Sequence, residues 1–134
     1  MTVIARERAG SHPVLLKQEW QLPTGSIKYR TALGLVRALA DSSPLRPGTV
    51  VVESTSGGLG LALAHLLGRR GCKLVAVVDP KTPLPTRRQL ELAGAELHLV
   101  TETDGYGSYL DARLQLVAEL RRRNPAYRWT DQYH

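Results

Sequence analysis

Two runs of mainly β-branched or apolar residues, Thr49-Val50-Val51-Val52-Glu53 and Leu74-Val75-Ala76-Val77-Val78, bracket a polar glycine loop and an apolar helical stretch. Short apolar runs of this kind suit strands buried on both faces, and strands joined through a helix run parallel. Ser54-Thr55-Ser56-Gly57-Gly58 is then a tight loop. Leu59 to Arg70 is a helix, stopped by Gly71 just past its end. The alternation continues. Asp79 to Pro85 is a proline-rich loop, Thr86 to Ala93 a short helix closed by Gly94, and Ala95 to Val100 a third strand. Ser108 to Arg123 predicts a long helix with Leu110, Leu114, Val117 and Leu120 as its apolar stripe. Tyr127-Arg128-Trp129 predicts a fourth strand. The expected fold is α/β, a three-layer open parallel sheet with helices on both faces and right-handed crossovers.

Upstream the pattern is weaker. Met1 to Pro13 reads as a loose entry segment and Val14 to Trp20 as a short strand. Pro23-Thr24-Gly25-Ser26 is a turn whose hydroxyls can cap a following helix. That helix runs from Ile27 to Ala40, with Leu33, Val36 and Ala40 on one face, and Asp41-Ser42-Ser43-Pro44 ends it. Leu45 to Gly48 is the best internal boundary, dividing the chain into segments 1–44 and 45–134.

At 134 residues and 43% hydrophobic, the chain can bury a core without staples. A single cysteine, Cys72, excludes an internal disulfide and a multi-cysteine zinc site, and reads as a small buried hydrophobe. His12, His65, His98 and His134 show no metal-ligand spacing, so no metal is expected. A net charge of +6 invites a nucleic-acid reading. The arginines are scattered, however, and the dense run Arg121-Arg122-Arg123 falls where a helix ends and cations complement its dipole. Aromatics at 5%, without any Phe, are too few for a stacking platform. No run approaches the ~20 apolar residues of a membrane span. Met1 to His12 is polar and lacks a secretory apolar stretch. The expectation is a cytoplasmic protein with neither nucleic-acid nor membrane partners.

Two features carry chemistry. The loop Ser54 to Gly60 lies between a strand and its helix, where α/β sheets bind ligands. Its glycines let backbone N–H groups approach an anion, the helix N-terminus favours negative charge, and Thr55 and Ser56 add hydroxyls. A carboxylate or phosphate site and a plain tight turn both remain open on these residues. A dinucleotide fingerprint fails, because Gly58 and Gly60 put Leu63 where a third small residue is needed. Asp79, at the end of the next strand, opens the proline-rich loop instead. The second feature is Lys28, in the first turn of its helix. The helix dipole disfavours positive charge there, and a neutral amine is what Schiff-base chemistry requires.

Leu16-Lys17-Gln18-Glu19 leading to Pro23-Thr24-Gly25-Ser26-Ile27-Lys28-Tyr29-Arg30 resembles the lysine motif of the cysteine synthase and cystathionine β-synthase family, the fold-type II pyridoxal-phosphate enzymes. Glu53-Ser54-Thr55-Ser56-Gly57-Gly58-Leu59-Gly60 resembles that family's substrate loop. Arg87-Arg88, Leu92, Gly94-Ala95-Glu96 and Asp131-Gln132-Tyr133 follow in the family's order. The resemblance implies a small α/β domain at 45–134, preceded by part of the large domain at 1–44. It implies pyridoxal phosphate on Lys28, which later moves the proton at the substrate α-carbon. It implies Thr55, Ser56 and Gly57 on the carboxylate of an amino-acid substrate, with Gln132 beside them. Gly58 stands where the family usually has the Asn that contacts the cofactor ring oxygen, Leu59 where it has Thr, and Tyr29 where it has Asp. The implied reaction is β-replacement or β-elimination on a serine-type amino acid. Family members run to about twice this length on the usual two-domain scale. The second half of the family, with its glycine-rich phosphate cup, is expected from elsewhere: the chain is a fragment, one subunit of a split enzyme completed by a complementing subunit, or a degenerate member acting as a scaffold. An incomplete large domain exposes apolar surface, so association, as a homo-oligomer or with that subunit, is expected.

Overall fold

In the computed structural model, residues 4–9, 12–103 and 106–133 are described. The elements are β1 (Ile4–Ala9), β2 (His12–Lys17), a 3-10 turn (Glu19–Gln21), α1 (Lys28–Ser42), β3 (Val50–Ser54), α2 (Gly58–Gly68), β4 (Lys73–Val78), α3 (Leu84–Leu92), β5 (Glu96–Leu99), α4 (Leu110–Arg123) and β6 (Arg128–Trp129). The sheet has the order β5-β4-β3-β6, with every pairing parallel.

Strand alternation explains the layering. On β4, Leu74, Ala76 and Val78 join a core with Val51 of β3, most of α2, Leu90 of α3, and Ala32 and Val36 of α1. The intervening Val75 and Val77 join Val52, Val100 and Val117 beneath α4. Helices thus cover both faces, as expected of a parallel sheet. Each fully buried Val or Leu contributes about 1.5–3 kcal/mol by leaving water, so β3 and β4 anchor the fold. The stop after α2 also follows the expectation. Gly71 adopts φ +68°, and the Cys72 N–H reaches back to the Leu67 carbonyl at 3.0 Å.

Three readings need correction. The segment expected to be a loose entry, Met1 to Pro13, contains β1, which pairs antiparallel with β2 from Ile4↔Lys17 to Ala9↔His12. Its cross-strand bonds are backbone bonds, and Ile4, Leu15 and Leu16 stay exposed, so no buried alternation marks it in sequence. The expected strand Val14 to Trp20 ends instead at Lys17, and Trp20 lies in the 3-10 turn. The core-facing stripe of α4 is rotated from the expected Leu110-Leu114-Val117-Leu120. Arg113 and Val117 are the buried positions, with Ala112, Leu116 and Leu120 packed alongside. The rotation brings Arg113, 8% exposed, to 3.4 Å from Asp79, 4% exposed, so a buried ion pair takes a place on the inner face of α4. Asp79 also receives the Lys81 N–H at 2.8 Å, which opens the proline-rich loop.

β6 is held from two sides. Arg128 donates to the Leu39 carbonyl at 2.5 Å, the Ser43 carbonyl at 2.6 Å and Ser42 Oγ at 2.7 Å, closing the C-terminal turn of α1. Trp129 packs on the α4 side, with Arg121 over its ring at 5.2 Å. Arg128 therefore satisfies the Ser43 carbonyl just past α1 and adds to the Ser43 N–H and Ser42 hydroxyl that Leu39 already accepts. Arg128→Ala is expected to destabilise the chain by about 1–3 kcal/mol, the range for hydrogen bonds from a charged donor. Urea unfolding measures it, and a loss below about 0.5 kcal/mol, the range of ordinary surface changes, contradicts the clamp.

Candidate active site

The site forms where two helix N-termini meet. α1 begins at Lys28, and Ser26 Oγ accepts the Lys28 N–H at 3.2 Å. The expected capping hydroxyl is thus present, although the residue at the N-cap position itself is Ile27. α2 begins at Gly58 after a turn in which Gly57 adopts φ +130°. A Cβ on Gly58 would lie 3.7 Å from Lys28 Cγ and 3.5 Å from Ser26 Oγ, so the two helix starts abut. These are ordinary contact distances, and a side chain at 58 fits without displacing Lys28.

Thr55 holds the loop in shape. Its Oγ1 accepts the N–H of Gly57 at 3.1 Å and of Gly60 at 2.9 Å, and its own N–H donates to the Val77 carbonyl at 2.9 Å. Thr55 is buried and Ser56 is exposed. Among the described residues, no partner accepts the amides of Ser56, Gly58 and Leu59. Unpaired amides at the start of a helix, with the positive end of its dipole, form an anion-binding arrangement. The Lys28 amine carries no ion pair among the described residues, whereas Lys17 pairs with Glu19 at 2.6 Å and Lys81 bonds to the Gly107 carbonyl at 3.2 Å.

The third wall comes from the end of the chain. Gln132 Nε2 donates to the Ser54 carbonyl at 2.7 Å. A cleft of about 220 Å³ results, lined by Lys28, Thr55, Ser56, Gly58, Leu59, Gln132 and Tyr133. Six of the seven residues expected from the sequence therefore converge. Gly57 is one position behind the lining, with its N–H on Thr55, and Leu59 is largely core. Tyr133 was absent from the expected site, although its place beside Gln132 was the available signal. A larger cleft of about 440 Å³, near Ser43, Arg46, Thr49 and Tyr127, lies at the other end of β3 and lacks this convergence of lysine, hydroxyl and open amides.

Sequence reasoning gave Glu53 no role in the site. It is fully buried, accepts the Ser54 N–H at 2.8 Å, and receives the Thr130 hydroxyl. Burial pushes its carboxyl above the usual range, and the bonds from Thr130 and Ser54 offset only part of that. Outside the cleft lining, Lys17 and Arg30 hold Glu19 below the usual carboxylate range.

Residues 4–134 match the family described as pyridoxal-phosphate dependent enzyme. The chain belongs to that family. It is 39% identical over 121 residues to the N-(2-amino-2-carboxyethyl)-L-glutamate synthase of Ralstonia nicotianae, covering 90% of this chain and 36% of that protein. The enzyme of the same name from Cupriavidus metallidurans is 36% identical, covering 90% of this chain and 35% of the relative. Among solved structures, O-ureido-L-serine synthase superposes with a TM-score of 0.82 at 28% identity, covering 98% of this chain and 41% of the other. The chain thus spans little more than a third of the length of these curated relatives. The cofactor of the family is pyridoxal phosphate, and the residues present fit it on one side. Lys28 offers an exposed amine without an ion pair among the described residues, and Gly58, bare and exposed, abuts its aliphatic chain.

Two expectations follow from this geometry. A Cβ on Gly60 would sit 2.7 Å from Thr55 Cγ2 and 3.1 Å from Leu90 Cδ2. Gly60→Ala is expected to cost about 1–3 kcal/mol, the usual scale of overpacking, and Thr55→Ser, which removes the clashing methyl and keeps the hydroxyl, should recover part of it. Additive losses in a double-mutant cycle by urea unfolding contradict the contact.

Glu53 makes stability depend on pH in a defined direction. Burial raises its folded-state pKa above the ordinary carboxylate value, so the folded state holds the proton more tightly. Its contribution is complete below the unfolded pKa and is lost as pH rises through the folded one. The stability of Glu53→Gln relative to the parent should therefore rise as pH rises from the ordinary carboxylate value through the raised folded one. Parallel curves for the two proteins would overturn the assignment.

Proposed function

We propose that this chain is part of a pyridoxal-phosphate enzyme that carries out β-replacement on a serine-type amino acid. One observation carries the reading. Lys28, the Ser56–Leu59 turn and Gln132 lie far apart in sequence and line one cleft. The names of the relatives support replacement over simple elimination. Each describes a serine-like skeleton joined to a new group, glutamate in one case and ureido in the other.

Each residue has a task in this reading. The Lys28 amine holds the cofactor and moves the proton at the substrate α-carbon. The Ser56 hydroxyl and the amides of Ser56, Gly58 and Leu59 hold the α-carboxylate, and the dipole of α2 favours its charge. Thr55 and Gly57 act by keeping that turn in shape. Gln132, tied to the Ser54 carbonyl, adds its amide to the lining of the cleft. When bound, the cofactor supplies an electron sink for the pair left at the α-carbon. The remaining contacts to the cofactor come from beyond these 134 residues, through a further segment of a longer protein or a complementing subunit.

Treating the full chain with pyridoxal phosphate and borohydride tests the assignment. A mass increase mapped to Lys28, well above that at Lys17, Lys73 and Lys81 and absent in Lys28→Ala, is the expected result. Labelling spread evenly over the lysines would contradict the Lys28 site and favour a non-catalytic scaffold.

A further inference from the structure

β6 contributes only Arg128 and Trp129 to the sheet, opposite Val51 and Val52. Carrying that register one step further sets Thr130 opposite Glu53. There the chain turns away, and Asp131 adopts φ +49°. Backbone pairing stops at the point where the site begins, and side chains replace it. Glu53 Oε2 receives the Thr130 hydroxyl, and Glu53 Oε1 receives the Ser54 N–H at 2.8 Å. The carbonyl of Ser54 in turn receives Gln132 Nε2 at 2.7 Å.

Glu53 is among the largest side chains with no exposed surface. Burying a carboxyl is unfavourable, and an apolar residue of similar volume would pack at such a position. A side chain with two polar atoms at its tip joins a backbone N–H of β3 to a hydroxyl of the departing segment, which an apolar residue cannot do. The alternation of β3 directs Glu53 to the same face as Val51, the face covered by α1 and α2. The carboxyl therefore lies beneath the helices that bear Lys28 and Gly58.

We propose that Glu53 is a positioning residue: through Thr130 and Ser54 it fixes the segment from Thr130 to Tyr133, and so sets the Gln132 amide against the Lys28 cleft. Its functional meaning rests on the reading of that cleft as the amino-acid site. The geometric claim stands without it. Glutamine at 53 preserves both contacts, because one amide atom accepts the Ser54 N–H and the other donates to Thr130 Oγ1. Leucine at 53, or valine at 130, removes the link while keeping the volume.

The test uses the intact chain, labelled with nitrogen-15. The readout is exchange of the Gln132 side-chain amide protons with water, with the backbone amides of Val75 and Val77 as the measure of global opening. In Glu53→Leu and in Thr130→Val, Gln132 exchange should quicken about tenfold, the factor that loss of one net hydrogen bond carries, while the β4 amides hold. Glu53→Gln should restore the parent rate. Unchanged Gln132 exchange in a folded Glu53→Leu or Thr130→Val protein would overturn the proposal. So would Gln132 and β4 accelerating together in Thr130→Val, the milder change. Borohydride labelling at Lys28, run on the same samples, separates the two readings. Its absence in the parent protein counts against the cofactor cleft and leaves the Gln132 result intact.

Discussion

The turn from β3 into α2 depends on one hydroxyl. Thr55 Oγ1 accepts two amides, from Gly57 and Gly60, and this keeps the chain from closing into an ordinary helical turn. The amides of Ser56, Gly58 and Leu59 then face the cleft with no partner among the described residues. A flexible loop would have to order itself around each anion, at an entropic cost. Here that cost falls in folding, where the burial of β3 and α2 offsets it. The glycines belong to the same constraint. At Gly57 a Cβ would come within 2.8 Å of Thr86 Cγ2, so α3 closes on the turn only because that position is bare.

The electrostatics follow from the same placement. Two helix dipoles and the Lys28 amine present positive potential to one small cleft, which suits a carboxylate or a phosphorylated cofactor. Beneath them sits a buried acid, Glu53, held by hydrogen bonds rather than by a counter-charge. Elsewhere the basic side chains of a chain with net charge +6 serve the fold. Arg128 closes α1, Arg113 meets Asp79, Arg121 covers Trp129, and Arg123 pairs with Glu119.

Much of this was legible from the sequence. The valine-rich strands, the stops at Gly71 and Gly94, and the order of motifs around Lys28, Ser56 and Gln132 led to a parallel α/β sheet and a pyridoxal-phosphate site. These signals are local: a β-branched run, a left-handed glycine and a lysine in a first helical turn each act within a few residues. The entry strands failed this test. β1 and β2 satisfy each other through backbone bonds while Ile4, Leu15 and Leu16 stay exposed, so hydrophobic periodicity carries no trace of them.

What the sequence by itself determined is the set of elements and the chemistry available at their ends. Tertiary structure decided which groups remain available. Thr55 looks like a ligand-binding hydroxyl in sequence, and in the fold its oxygen also accepts two amides that shape the loop, while Ser56 is exposed. Arg113 looks like a surface cation in a polar stretch, yet it is buried against Asp79 on the inner face of α4. Glu53 looks like the end of a strand, yet it ties that strand to Thr130, 77 residues away in the chain. Such roles depend on partners distant in sequence, and only the packed sheet brings them within hydrogen-bonding range.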